Sequence, residues 1–377
     1  MSTSRVRGAS VTTSPRDPGR AHIVGLGLIG GSIGLALRAL GWQVSGEDVD
    51  DGVVSRAVAA GAVDGPGTPA DVDRADLVFV ATPVAAIPVA ASAVLERPGR
   101  QPGSVVTDVG GAKGPIVAAL DRPGFVGGHP MAGSEQSGIE GADAELFVGA
   151  TWVLTPMVST EPEGYTLLRS VISELGADVV ELSPAGHDEL VAVVSHVPHL
   201  TAATLMNLAA DQAVEHAALL RLAAGGFRDM TRIAAGQPGI WPDICVDNAG
   251  AIVATLDQLI ESLGDMRTRV ARGDRAALLD VLGRATVARR ALGMQAEAPD
   301  HLAEMRVPVR DDPGAIAEVT TLAAELGINI ADVEIAHSVE GDRGVLVLTT
   351  SAGDAPRLAD ALTARGYRAA VTPVGTR

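Results

Sequence analysis

Cysteine is nearly missing from this chain: of 377 residues, Cys245 is the one example. An internal disulfide is therefore excluded, and the expectation is a cytoplasmic protein held by packing alone. Aromatics are scarce at 2%, so the cores are expected to consist of Ala, Val, Leu and Ile. Lysine is reduced to Lys113, every other strong base being arginine. That isolation marks Lys113 for a task, against the plainer reading of chance survival. Positive charge is in deficit, with a net charge of −17 and a pI near 4.8. A polyanion would be repelled, so nucleic acid is not an expected partner, whereas a small anionic metabolite needs only a few local cations. Long unbroken apolar runs are missing too. Val24–Leu37 follows several arginines but is interrupted by Gly25, Gly27, Gly30, Gly31 and Gly34. It is shorter than the roughly 20 residues of a membrane span and is expected to be a soluble core segment.

What is present is apolar bulk, 47% of the residues, enough for two or three packed domains. Residues 1–19 lack periodicity and read as a disordered tail. Residues 20–185 alternate short strands with helices. Strands are expected at His22–Gly25, Trp42–Gly46, Leu77–Ala81, Val105–Asp108, Gly124–Gly128, Ala150–Thr155 and Asp178–Glu181. Helices are expected at Gly30–Leu40 and Val53–Ala60, and the alternation implies an α/β, Rossmann-type, doubly wound parallel sheet. Residues 186–297 carry apolar residues at helical spacing, such as Ile252, Leu256, Leu259 and Leu263, and read as an all-helical domain. Gln295–Glu304 reads as a linker, and residues 304–375 follow the order βαββαβ, a ferredoxin-like sandwich.

Gly25-Leu-Gly-Leu-Ile-Gly30 is a GxGxxG motif, weak alone but here placed between a strand and a helix, as dinucleotide binding requires. Gly25 would permit the tight turn, Gly27 the approach of a pyrophosphate and Gly30 close helix packing, with Leu28 and Ile29 opening the helix toward the phosphates. Asp48 follows Gly30 by 18 residues, near the expected ~20 for a ribose-binding acid, and no arginine stands beside it, which favours NAD over NADP. Thr82 and Pro83, just beyond a strand end, are expected to line the cofactor cleft.

Three further clusters could carry chemistry. His129, between Gly128 and Pro130, suits proton transfer near neutral pH, though a helix-capping loop histidine would look the same. In Ser195-His-Val-Pro-His199 the HxxH spacing could suggest a metal pair, but Pro198 is expected to interrupt the helix and no metal site is expected. Gly225-Gly-Phe-Arg-Asp-Met-Thr-Arg232, followed by Trp241, sets Arg228 and Arg232 on one helical turn, a carboxylate site or a solvated face with an Arg–Asp pair.

Taken together, these motifs resemble the prephenate/arogenate dehydrogenase family. The resemblance is carried in order by Gly25–Ser32, Asp108-Val-Gly-Gly-Ala-Lys113, Gly128-His-Pro-Met-Ala-Gly-Ser-Glu135, Ser195–His199 and Gly225–Arg232, over about residues 21–295. The C-terminal part resembles an ACT domain through Asp312-Pro-Gly314 and Gly327-Ile-Asn-Ile330. The resemblance implies NAD-dependent oxidative decarboxylation of prephenate, or of its amino analogue arogenate. It implies catalytic roles for His129, as base, for Arg232, as the carboxylate-binding group, and for Lys113. Ser134, Glu135, Ser195, His199, Arg228, Asp229 and Trp241 would line the substrate cleft, with Trp241 on a partner-facing helix. Asp108 and Gly110 would join the cofactor site. It also implies a helical dimerisation domain, a homodimer, and tyrosine as effector near Asp312, Gly314 and Asn329. One departure is plain: the family's serine in the Asp-to-Lys loop is Gly111 here. A catalytically silent sensor of NAD and an amino acid is the alternative that this glycine favours. Other dehydrogenases with a Rossmann and helical pair would not be expected to share the joint His129 and Arg232 motifs.

Overall fold

The computed structural model describes residues 19–134, 136–215, 222–236, 238–291, 302–310, 312–337 and 343–373. The expected tail to residue 18, linker residues 295–301, turn residues 340–342 and the candidate Glu135 lie outside the described residues. The chain divides into two compact units, Met1–Ile260 and Glu261–Arg377. The division falls within one long helix rather than in the expected linker.

The first unit is built on an eight-stranded sheet ordered β3-β2-β1-β4-β5-β6-β7-β8. Its strands are β1 (Arg20–Val24), β2 (Gln43–Glu47), β3 (Gly65–Pro66), β4 (Leu77–Val80), β5 (Val105–Asp108), β6 (Phe125–Pro130), β7 (Thr151–Thr155) and β8 (Asp178–Glu181). The helices between them are α1 (Leu28–Ala39), α2 (Asp51–Ala59), α3 (Pro69–Arg74), α4 (Ile87–Leu95), α5 (Gly114–Leu120) and α6 (Pro162–Glu174). β4 and β5 are buried at every position, as strands covered on both faces must be. The expected all-parallel sheet needs one correction. β7 pairs antiparallel to β6, while β8 runs parallel to β7. The physical reason is the connection: only a short turn of helix, Ile139–Gly141, lies between β6 and β7, so no crossover helix reverses the chain.

The core expectation also needs correction. The two main clusters are rich in Val, Ile, Leu and Ala, yet Phe79, Phe147 and Trp152 are completely buried at the centre of one of them. Phe147 and Trp152 lie 5.0 Å apart, ring to ring. The few aromatics are thus concentrated where volume is needed, beneath the sheet.

A helical region follows with α7 (Pro184–Val191), α8 (Val197–Glu215), α9 (Gly225–Thr231), α10 (Trp241–Asp247) and α11 (Ala249–Arg272). Pro198 does not break the helical path, contrary to expectation. A π turn at Ala192–His196 joins α7 to α8, so Pro198 falls in the first turn of a new helix, where a missing N–H costs little. The continuous stretch Pro184–Ala213 is long and apolar enough to cross a membrane by length and composition, but it carries the buried polar residues His187, Asp188 and His196.

The second unit holds the end of α11, then α12 (Arg275–Ala291), β9 (Leu302–Arg310), α13 (Ala315–Glu325), β10 (Ile330–His337), β11 (Arg343–Ser351), α14 (Ala355–Ala364) and β12 (Ala370–Pro373). The strands form an antiparallel sheet ordered β10-β11-β9-β12. That order with βαββαβ succession is the ferredoxin-like arrangement. Val307, Val319, Leu346, Leu348, Leu358 and Leu362 fill its core.

Candidate active site

The glycine-rich turn leaves β1 beside the end of β4. Gly25 has φ +95°, and a Cβ there would lie 2.6 Å from the Ala81 carbonyl oxygen. At Gly30 a Cβ would lie 1.9 Å from the Gly25 carbonyl oxygen, so α1 packs on the turn only as glycine. Gly27 differs, for a Cβ there would meet nothing within 4 Å. It caps α1 without any side-chain hydrogen bond, so the first N–H groups of the helix, those of Leu28 and Ile29, have no side-chain partner. Asp48 ends the second strand's turn and accepts from the Leu26 N–H at 2.9 Å and from the Asp50 N–H at 3.1 Å. Arg56 pairs with Glu140 at 2.8 Å. Thr82 Oγ1 is buried with no hydrogen-bond partner, an orphan at the strand end where ligands of such sheets bind. Pro83 is exposed beside it. The open glycine, the free helix N-terminus, the acid and the orphan hydroxyl together fit a dinucleotide.

Asp108 and Gly110 do not join that set, and here the expectation is corrected. Asp108 is fully buried, and its carboxylate accepts from Gly110 N–H at 2.8 Å, from Gly128 N–H at 3.1 Å and from the Lys113 ammonium. The carboxylate is thus spent on the protein interior and exposes no surface. Gly110 is packed, a Cβ there lying 2.8 Å from Ile116 Cδ1. Lys113 is fully buried as well, so it touches no substrate; its ion pair ties the loop after β5 to the strand end. Burial pulls the Lys113 ammonium below its ordinary pKa, and Asp108 offsets this in part. The lone lysine therefore serves the interior, as a compact charge for a buried carboxylate.

His129 closes β6. Its Nδ1 lies 2.8 Å from His187 Nε2, and His187 Nδ1 lies 2.8 Å from Asp188 Oδ1. Burial, then the nearby Lys113 charge, hold the His129 imidazole well below its ordinary pKa, so it is neutral at pH 7. Burial acts to raise Asp188, but hydrogen bonds from His187 and from the Lys113 and Gly114 N–H groups outweigh it and keep the carboxylate ionised. Gly111 stands against the other side of the ring: a Cβ there would lie 3.8 Å from His129 Nε2. A serine at this position, as in the family the sequence resembles, would bring a hydroxyl to that nitrogen, and glycine leaves it without one.

Asn248 links this cluster to the π turn. Its Nδ2 donates to the Asp188 carbonyl at 2.8 Å and lies 3.2 Å from His196 Nδ1. Trp241 stacks on His199 with ring centres 3.6 Å apart and meets His196 edge-on at 6.3 Å. Trp241 was expected on a partner-facing helix; within this chain it covers His199. Ser195 lies partly exposed on the π turn, a distortion common at functional sites. The turn Arg232–Ala235 packs on α8, and a Cβ at Gly236 would touch His199 at 3.7 Å. Arg228, Asp229 and Arg232 are exposed, and among the described residues none pairs with them. Ser134 is exposed and accepts from Gln136 N–H at 3.1 Å. His187, Asp188 and Asn248 were not singled out from the sequence, and His196 was weighed only as half of a metal pair. The signal available was an ionisable pair, His187-Asp188, inside an otherwise apolar helical run.

The three effector candidates separate. Asp312 and Gly314 precede α13, with Gly314 at φ +99°, whereas exposed Asn329 follows its end. An 11-residue helix spans about 16 Å, so one chain does not bring the three together.

Comparison with known proteins gives a consistent result. Residues 33–181 match the family model "Prephenate dehydrogenase, nucleotide-binding domain", and residues 183–284 match "Prephenate dehydrogenase, dimerization domain". The chain is 34% identical to prephenate dehydrogenase of Bacillus subtilis, over 88% of this chain and 92% of that protein. It is 32% identical to cyclohexadienyl dehydrogenase of Zymomonas mobilis, over 72% of this chain and 94% of that one. Among solved structures, Aquifex aeolicus prephenate dehydrogenase in complex with hydroxyphenyl propionate and NAD+ superposes with TM-score 0.68 at 31% identity, covering 74% of this chain and 100% of that one. Synechocystis arogenate dehydrogenase superposes with TM-score 0.64 at 32% identity, covering 72% of this chain and 99% of that chain.

Proposed function

We propose, from the premise that the chain belongs to the prephenate dehydrogenase family, how its residues carry out that family's reaction. The enzyme is an NAD-dependent oxidoreductase that converts prephenate to 4-hydroxyphenylpyruvate and CO2, a step of tyrosine biosynthesis. Bound NAD supplies the hydride acceptor. The Leu28 and Ile29 N–H groups would hold its pyrophosphate at Gly27, Asp48 would accept from its ribose hydroxyls, and Thr82 and Pro83 would line the same cleft. His129 Nε2 accepts the proton of the ring hydroxyl as that carbon loses hydride. Loss of the ring carboxylate as CO2 and aromatisation make the step irreversible. Arg232, with Arg228 beside it, binds the substrate's carboxylates, offsetting the repulsion expected from a chain of net charge −17. Ser134, Ser195, His199, Asp229 and Trp241 line the cleft, and Glu135 belongs to the same loop as Ser134.

The single observation that carries this reading is the open Nε2 of a neutral, hydrogen-bonded His129 beside Gly111. The test is paired kinetics. His129→Asn should lower kcat by roughly 10²–10⁴-fold with NAD affinity unchanged. Arg232→Ala should instead raise KM for prephenate by about tenfold or more. Near-normal kcat in the His129 variant would sink the base assignment.

The helical region leaves Ile260, Leu263, Val270, Leu279 and Leu282 exposed, and residues 183–284 match a dimerization domain, so the working form is a homodimer. The ferredoxin-like sheet is read as an ACT-type regulatory domain, with tyrosine bound where one chain's Asp312 and Gly314 meet a second chain's Asn329. The setting is cytoplasmic.

A further inference from the structure

Two buried groups have no part in the reaction as described, the ring of His187 and the carboxylate of Asp188. We propose that His187, anchored by Asp188, is a positioning residue that fixes His129 in the tautomer whose Nε2 is free to accept the substrate proton. The inference rests on the reading of His129 as the base.

An ionised carboxylate can only accept, and Asp188 accepts three hydrogen bonds. Its Oδ1 takes His187 Nδ1 at 2.8 Å and the Lys113 N–H at 2.7 Å, and its Oδ2 takes the Gly114 N–H at 2.7 Å. The proton between Asp188 and His187 therefore sits on His187 Nδ1. His187 is fully buried, and a neutral imidazole that donates from Nδ1 presents its Nε2 as a lone pair. That lone pair lies 2.8 Å from His129 Nδ1. One of the two nitrogens must bring the hydrogen, and His187 Nε2 has none. His129 Nδ1 carries it, which leaves His129 Nε2 unprotonated on the side of Gly111. The rings meet edge to face at 71° with centres 5.1 Å apart, so the contact also sets the plane of the base.

The arrangement accounts for the missing serine. A hydroxyl at position 111 could orient His129 from the Nε2 side; here orientation comes from the Nδ1 side. When Nε2 takes the hydroxyl proton, the resulting imidazolium already donates through Nδ1 to His187, with the negative Asp188 behind it. The logic is that of a carboxylate holding a catalytic imidazole in one tautomer without itself taking the proton. The anchor is rigid because Asn248 holds the Asp188 carbonyl at 2.8 Å and the same carboxylate caps the loop entering α5.

The test uses the full-length protein labelled with 15N-histidine, with His129→Asn identifying the signal. Parent protein near pH 7 should show His129 protonated at Nδ1 and bare at Nε2. His187→Leu should lose that single tautomer and lower kcat about 10²-fold, with NAD affinity unchanged. His187→Gln, whose amide can accept from Nδ1 and donate to Asp188, should restore the tautomer and bring kcat within about tenfold of the parent. Should the leucine variant fail to fold, the glutamine variant and the parent spectrum still decide. A parent His129 protonated at Nε2, or a folded leucine variant with unchanged tautomer and kcat, would overturn the proposal. If the parent turns over no cyclohexadienyl substrate, the assignment of His129 as base fails, while the tautomer spectrum reports on the relay independently.

Discussion

At the scale of single residues, the site separates groups that meet ligand from groups that hold them. His129 meets ligand; Lys113 and Asp108 are sealed inside and set the loop that ends at Gly111. The consequence for pH follows from sign. Burial and then the Lys113 charge depress the His129 pKa, so its neutral, accepting form persists to more acidic pH than an ordinary histidine allows. The acidic limb of kcat/KM should therefore lie below pH ~6.5, the free-histidine value. A limb above that value in the free enzyme would contradict the assignment. The same depression means the unfolded chain binds this proton more readily, so protonation of His129 weakens the fold as pH falls through its native pKa.

At the scale of elements, three glycines of one turn have different jobs that can be told apart. Gly25→Ala and Gly30→Ala meet backbone at 2.6 and 1.9 Å and should each destabilise the protein by about 2 kcal/mol or more. Gly27→Ala meets nothing in the chain, so its melting temperature should match the parent while NAD binding weakens at least tenfold. Equal destabilisation by all three, read by thermal melting and NAD titration, would mean that the space over Gly27 is not a ligand site. The sequence exposed β1, α1 and β5 clearly because short continuous apolar runs and glycine punctuation are local properties. It did not expose the antiparallel β7, since pairing direction depends on how a 20-residue connection travels, or the π turn, which preserves the helical path past Pro198. The His187–Asp188 pair was hidden for a related reason. Its meaning lies in contacts with Lys113, 75 residues away, and His129, 58 residues away, which no local pattern reports.

At the scale of the whole molecule, the motifs at 25–30, 108–113, 128–135, 195–199 and 225–232 revealed the reaction class because their joint order is specific. The C-terminal topology was readable from its strand and helix succession, but its effector site was not. Asp312 and Asn329 stand at opposite ends of α13, and only a second chain could complete a site from both. If the regulatory reading is correct, a chain ending near residue 304 should keep catalysis and lose inhibition by tyrosine. Inhibition unchanged in that truncated enzyme would place the effector elsewhere.

The most direct test of the central claim is the rate of NADH formation by the purified protein with NAD, comparing prephenate with arogenate. Turnover is expected with prephenate, accompanied by 4-hydroxyphenylpyruvate. Turnover with arogenate alone would move the substrate assignment, and silence with both while NAD demonstrably binds would contradict the enzyme reading in favour of a sensor.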